Sequence, residues 1–330
     1  MPKNSVIEKN IFEISNRQEF ETTALNIFRF QAEYNEVYNS FLKYLEINPD
    51  DIHQLNEIPF LPVEFFKTHM VATGKFNPEI LFTSSGTTGM TVSRHYVKDL
   101  QLYQESMLRG FHHFFGNIQD YVVLALLPSY LEREGSSLVY MAEKLIKLSK
   151  DKRSGFYLYD YERLAEMLQS LQGSGKKVLL LGVTYALLDL AERFPVNFPE
   201  LIVVETGGMK GKRKEMIREE LHDVLCSAFG VEKIYSEYGM TELLSQAWSK
   251  GDGIFETPPW MNVLIRDMND PLTILENGKT GGLNIIDLAN LYSCSFIAVQ
   301  DLGKRDEHGR FEVLGRFDNS DVRGCNLLVQ

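Results

Sequence analysis

Leu81-Phe82-Thr83-Ser84-Ser85-Gly86-Thr87-Thr88-Gly89 is the stretch on which the reading of this chain turns. From Thr83 to Gly89 it places five hydroxyl side chains and two glycines in seven residues, directly after a short apolar segment. Polyphosphate oxygens are held by hydroxyls and backbone N–H groups, and glycine lets the backbone approach them closely. The composition predicts a phosphate-gripping loop following a strand. An ordinary Ser/Thr/Gly surface turn uses the same residues, so the rest of the chain has to decide between the two.

Downstream, apolar strands alternate with amphipathic helices. Buried-strand runs are expected at 121–127, 177–181, 201–204 and 233–235. Helices are expected at 98–115, 136–148, 161–171, 185–193 and 212–229, with a short extended piece at 156–159. This alternation predicts an α/β fold, a largely parallel sheet covered on both faces. Upstream, residues 16–45 read as one helix, with apolar positions at spacings of three and four, broken by Pro49 and Asp50. Residues 63–67 fit a short helix or a strand, and 93–97 fit the second strand of a hairpin. After Pro258-Pro259 the pattern changes to short strands at 261–266, 272–275, 283–288, 296–299 and 311–314. Turns such as Asn277-Gly278 separate them, as in a β-rich subdomain of hairpins. The expected organisation is a helical lead-in (1–62), an α/β nucleotide-binding core (63–258), and a β-rich subdomain with a short tail (259–330).

The composition sets limits. The 330 residues amount to roughly two domains, or one large α/β domain with additions. At 44% hydrophobic and 24% charged, the chain can bury a core and disorder is not expected. A net charge of −11 argues against a nucleic-acid partner, which needs a basic stripe. No apolar run is long enough for a membrane span, and the N-terminus lacks a signal-peptide core. The three cysteines, Cys226, Cys294 and Cys325, have neither disulfide-framework nor zinc spacing. A reducing cytoplasm fits best.

Ligands of parallel α/β sheets bind beyond the carboxyl ends of the strands. Besides the opening loop, two stretches follow predicted strands: Glu205-Thr206-Gly207-Gly208-Met209-Lys210-Gly211 and Ser236-Glu237-Tyr238-Gly239-Met240-Thr241-Glu242. Together they would supply hydroxyls, glycine backbone, an aromatic ring and a carboxylate, a set suited to a nucleotide with Mg²⁺. Each alone reads equally as a helix cap or turn. Gly278-Lys279-Thr280 carries the tail of a phosphate-binding P-loop, but Thr273 stands where its first glycine belongs, and a hairpin turn explains it. His112 and His113 are adjacent on a helix and cannot share a face as a metal pair.

Four motifs in order across 83–318 resemble those of the adenylate-forming enzymes. They are Thr83 to Gly89, Tyr238-Gly239-Met240-Thr241-Glu242, Gln300-Asp301-Leu302-Gly303 and Gly315-Arg316-Phe317-Asp318. Within that group, Pro128-Ser129-Tyr130-Leu131-Glu132-Arg133-Glu134-Gly135-Ser136-Ser137 and Arg323-Gly324-Cys325 resemble the acyl-protein synthetase (LuxE) branch. The resemblance implies the N-terminal domain of such an enzyme, using ATP and Mg²⁺ to activate a carboxylic acid, a fatty acid in the bioluminescence members. Thr83, Ser84, Ser85, Thr87 and Thr88, with Gly86 and Gly89, would hold the phosphates. Gly207 and Gly208 would pass along the adenine, with Tyr238 and Gly239 packed on it. Thr241 would contact the α-phosphate, Glu242 would hold the metal, and Asp301 and Arg316 would bind the ribose.

Two departures stand out. Met90-Thr91-Val92-Ser93 replaces the Pro-Lys pair that many relatives carry after the loop. The lysine-bearing C-terminal domain of the larger group, about a hundred residues, is expected to be absent, because the sequence ends twelve residues after Asp318. A partner, or Lys210, Lys212 or Arg213, would then replace its lysine. Cys325 sits where the branch carries an acylated cysteine, two residues after Arg323, and a neighbouring cation favours the thiolate. A small core residue in a terminal strand is the other reading of Cys325. The acyl group would pass to Cys325, to CoA as in the phenylacetate-CoA ligases, or to a partner such as an acyl carrier, acyl donor or reductase protein. A noncatalytic nucleotide- or acyl-binding subunit is the alternative from outside the enzyme class.

Overall fold

A computed structural model describes residues 8, 10–84, 91–128, 135–207, 213 and 216–317. The N-terminal part builds helices α1 (Arg17–Tyr34) and α2 (Glu36–Tyr44), the two-residue strand β1 (Leu61–Pro62) and the short helix α3 (Phe65–Thr68). Strands β2 (Ile80–Thr83) and β3 (Arg94–Val97) precede α4 (Leu100–Phe115). There follow β4 (Tyr121–Leu126), α5 (Ser137–Ser149), β5 (Gly155–Phe156), α6 (Tyr161–Leu171), β6 (Lys177–Val183) and α7 (Thr184–Arg193). Then come β7 (Ile202–Thr206), α8 (Arg218–Phe229) and β8 (Tyr235–Tyr238). The remainder is mostly strand: β9 (Ala247–Ser249), β10 (Ile254–Glu256), β11 (Met261–Arg266), β12 (Thr280–Asp287), β13 (Phe296–Arg305) and β14 (Phe311–Arg316). No helix among the described residues is long and apolar enough to cross a membrane.

The chain forms two compact units, Met1–Pro78 with His95–Lys98 and Pro259–Gln330, and Glu79–Arg94 with Asp99–Pro258. The second unit holds the alternating α/β pattern. Its strands run β5-β4-β6-β7-β8-β9-β10, parallel from β5 to β8 and antiparallel beyond. Every residue of β4 is buried, so both faces of the sheet are covered, as its unbroken Val/Leu/Ala sequence requires. Thr206 stands directly opposite Glu237 in the β7–β8 register.

In the other unit, β11, β12, β13 and β14 form an antiparallel meander, and β1 adds in parallel to the first half of β13. Residues 16–45, read as one helix, are two. Asn35 adopts an extended conformation (φ −98°, ψ 105°), and its Oδ1 accepts from Tyr38 N at 3.0 Å, capping α2. Its Nδ2 donates to Ser293 O (2.9 Å) and Thr73 Oγ1 (3.2 Å), bonds that a continuous helix would forgo. Of residues 272–275, expected as a strand, only an isolated antiparallel bridge forms: Ile274 pairs with Arg266 of β11, with Asp267 N donating to Thr273 O (2.8 Å) and Leu275 N to Ile265 O (2.7 Å). Asp267 and Asp270 accept backbone bonds from Asn269, Asp270 and Leu272, and such local caps compete with a ladder. The helix expected from 212 begins at Arg218. Residues 63–67, left as helix or strand, lead into α3.

Gln31 joins α1 to the 288–295 segment. Its Nε2 donates to Asn290 O and Leu291 O, both at 3.0 Å, and its Oε1 accepts from Ser295 N at 2.9 Å, all without exposure to solvent. Removing the amide strands three buried backbone groups. Gln31→Ala is expected to cost about 2–4 kcal/mol, read as a lower denaturation midpoint at unchanged slope.

Candidate functional site

The parallel strands of the α/β unit end together, and their ends carry the polar residues. β7 closes on Thr206 and passes to Gly207, whose φ of +63° suits glycine. β8 closes on Tyr238 and passes to Gly239, Thr241 and Glu242. Tyr238 lies edge-on to Phe255 of β10, with ring centroids 5.9 Å apart, and Phe255 is covered in turn by the Arg218 guanidinium at 5.6 Å. The ring that the sequence assigns to a base is thereby held by a neighbour on the same sheet. Thr241 is half-buried, and Glu242 is buried at 6% exposure.

Thr83 and Ser84 form the root of the opening loop. Thr83 N donates to Gly135 O at 2.8 Å, and Ser84 N to Ser93 O at 3.1 Å. Ser93 N returns a bond to Ser84 Oγ at 2.9 Å, so the loop's two ends are clamped together. Ser85, Gly86, Thr87, Thr88 and Gly89 lie outside the described residues, as do Gly208, Lys210, Lys212 and Cys325. Gly135 is a positioning residue without a role in the sequence reading. Its φ is +85°, and a Cβ there would stand 3.0 Å from both Leu81 O and Thr83 Oγ1. The glycine inside the quoted 128–137 stretch was the available signal.

Two side-chain bonds cross between strand ends. Thr184 Oγ1 donates to Glu205 Oε2 at 3.0 Å, and Thr206 Oγ1 to Glu237 Oε2 at 2.6 Å. Burial raises the Glu237 carboxyl from its ordinary 4.5 to about 7; nearby Glu205 adds to this, and the Thr206 hydroxyl partly opposes it. Both acids were quoted within strand-end stretches but given no task. Their importance comes from pairing across strands, which sequence order does not display.

Arg213, one candidate to stand in for the C-terminal lysine of the larger group, is engaged. Its guanidinium pairs with Asp189 and, at 2.6 and 2.7 Å, with Glu192, both on α7. Asp189 also accepts from Tyr161 Oη at 3.3 Å.

The other unit carries Asp301 and Arg316, brought face to face by the β13–β14 register, with Arg316 Nε 3.3 Å from Asp301 Oδ1. Asp301 is buried while Arg316 is largely exposed. Phe317 N donates to Gln300 O at 2.8 Å, and the Phe317 ring rests 5.4 Å from the Arg266 guanidinium. Arg266 is itself anchored to Val299 O (2.5 Å) and Asn284 Oδ1 (3.0 Å). Among the described residues, no three His, Cys, Asp or Glu side chains cluster as a metal site. A buried carboxylate such as Glu242 fits Mg²⁺, which takes one or two carboxylates and completes its shell with phosphates and water.

Solved structures share the fold. MatB from Rhodopseudomonas palustris with ATP bound superposes with a TM-score of 0.56 at 16% identity, over 73% of this chain and 49% of that one. A 2-hydroxyisobutyryl-CoA ligase, in an open conformation with 2-HIB-AMP and CoA, gives a TM-score of 0.65 at 13% identity, over 93% and 77%. The fold is that of the adenylate-forming ligases. The sequence profile of the acyl-protein synthetases, LuxE, matches residues 3–330, and the chain belongs to that family. It spans about half the length of MatB. No curated protein sequence matches it.

The Glu237 carboxyl makes a signed prediction. A folded value above the unfolded one means the native state holds this proton more tightly. Its contribution to stability is therefore complete below pH 4.5 and is lost as pH rises to about 7. Between pH 5 and 7.5 the wild-type urea midpoint should fall further than that of Glu237→Gln, which has no such proton.

Proposed function

We propose that this protein activates a carboxylic acid, a fatty acid by family likeness, as an acyl-adenylate at the expense of ATP, and passes the acyl group to a thiol. The observation that carries the reading is the convergence of Gly207, Tyr238, Thr241 and Glu242 at the ends of adjacent parallel strands, in a member of the acyl-protein synthetase family.

In this reading Tyr238, braced by Phe255, offers a face to the adenine beside the Gly207 backbone. The hydroxyls and N–H groups from Thr83 onward, between the paired Ser84 and Ser93, would hold the phosphates. Thr241 donates to the α-phosphate. A substrate carboxylate oxygen attacks the α-phosphorus, the bond to the bridging α–β oxygen breaks, and pyrophosphate leaves with that oxygen. The protein's work is alignment and donation to developing negative charge rather than nucleophilic catalysis. Glu242 would hold Mg²⁺, which when bound supplies charge neutralisation at the phosphates. Asp301 and Arg316 would bind the ribose hydroxyls.

For the second half-reaction a thiolate is needed. Cys294 is fully buried, with burial pushing its thiol up to about 12, and burial also raises Cys226. Neither suits acyl capture at neutral pH, which favours Cys325 or a thiol from outside the chain. The thiolate would attack the acyl carbon and displace AMP, leaving a thioester.

Pyrophosphate exchange with ATP, Mg²⁺ and a panel of fatty and aryl acids tests the first step. Exchange is expected with at least one acid, and Thr241→Ala should lower kcat/KM by about 10²-fold, as for loss of one transition-state donor. Folded protein that exchanges with no acid overturns the reading. Intact mass after turnover tests the second step. A hydroxylamine-labile adduct lost in Cys325→Ser is expected; an adduct that persists, or acyl-CoA as the product, removes Cys325 from the mechanism.

A further inference from the structure

The strand-end cluster contains a carboxylate for which the proposed chemistry has no use. Glu237 is the penultimate residue of β8 and directly precedes Tyr238. Its Oε2 accepts from Thr206, the last residue of β7, at 2.6 Å. Its Oε1 fills the space beside the Gly239 backbone, where a Cβ would collide with it, and Gln246 Cγ would stand 3.4 Å away on that same side. One carboxylate therefore touches the chain at both exits of the site, the one into Gly207 and the one into Tyr238-Gly239.

We propose that Glu237 is a positioning residue of the nucleotide site, a strut through Thr206 that sets the gap between the Gly207 and Tyr238 backbones, and that its charge weakens nucleotide binding. The proposal rests on the adenylating reading of this edge.

The geometry supplies the first half. β7 and β8 pair only through Val204–Thr206 and Tyr235–Glu237, so past Thr206 and Glu237 the ladder no longer fixes the separation of the two chains. A side-chain bond at the last register pair replaces the ladder where a flat ring would insert. Gly239 is small because the carboxylate occupies the room a side chain would need.

Electrostatics supply the second half. The charged group that acts on Glu237 is the Glu205 carboxylate of β7; the Tyr103 phenol of α4 faces it too, but burial pushes that phenol far above its ordinary range and keeps it neutral. Tyr103 is held by its Oη bond to Ser137 O at 3.1 Å. An ionised Glu237 adds a second negative group, beside Glu205, next to a polyanionic ligand, in a partly desolvated site where repulsion is felt. Burial and Glu205 bring its titration to about 7, within the working range of an assay.

The full-length protein is titrated with MgATP by calorimetry at pH 6 and pH 8, and KM and kcat are taken from pyrophosphate exchange. Wild type should lose about three- to tenfold in affinity from pH 6 to pH 8 relative to Glu237→Gln, which keeps its low-pH affinity because its amide carries no charge. At pH 6, where Glu237 is mostly uncharged, Glu237→Ala and Thr206→Val should raise the KM for ATP about three- to tenfold with kcat within about twofold, the size of one lost hydrogen bond. Thr206→Ser, which keeps the donor, should restore it. Glu237→Gln tracking wild type across pH, or Glu237→Ala keeping the wild-type KM at pH 6, overturns the proposal while leaving the nucleotide reading intact. Folded wild type that binds no MgATP at either pH overturns both.

Discussion

Parallel pairing of β7 and β8, in the register that sets Thr206 against Glu237, is the constraint on which the candidate site depends. Pleat and register decide which side chains share a face, and a slip of one residue would exchange them. With this register, the Thr206 hydroxyl meets the Glu237 carboxylate, and Gly207 and Tyr238 leave adjacent strands at the same level. The buried strands β4 and β6 hold that register from behind. Beyond the exposed Lys177 at the start of β6 they are buried throughout, so they tolerate no polar residue that slippage would bury.

The β-rich unit solves a related problem by another route. Asp301 and Arg316 are brought together by antiparallel pairing, with a register shift at Leu302/Gly303. Gly303 cannot carry a side chain there, because a Cβ would run into Glu312 O across the ladder. Arg266 then spends its guanidinium on backbone oxygens of two strands and offers its face to Phe317, fixing the segment that carries Arg316. In both units a pair of polar residues far apart in sequence depends on a glycine that keeps the backbone close.

Much of this was legible beforehand. The strands at 121–127 and 177–181 announce themselves because both faces are buried and no polar residue interrupts them. Tyr238 to Glu242 and Asp301 were legible as motifs because short spacings survive in one dimension. Elements governed by side-chain competition were not. Residues 16–45 carry helical periodicity throughout, yet Asn35 breaks the helix to bond Ser293 and Thr73, partners more than 35 residues away. The strand expected at 272–275 shrinks to one bridge, Ile274 with Arg266, because Asp267 and Asp270 satisfy the backbone N–H groups just before it. Arg213 was offered as a stand-in for the C-terminal lysine, but Asp189 and Glu192 on α7 hold it.

The sequence by itself determined the α/β order, the family and the residue types available at the strand ends, because periodicity and motif spacing are properties of the chain read along its length. Only the tertiary structure decided which of those residues act on one another. Glu237 is an ordinary glutamate in sequence. Its elevated titration exists because burial removes water from it and Glu205 lies nearby, while Thr206 binds it from the adjacent strand. Gly135 becomes necessary only where Leu81 and Thr83 close against it. These are effects of distance in space, and they come into being only when strands separated by tens of residues are laid side by side.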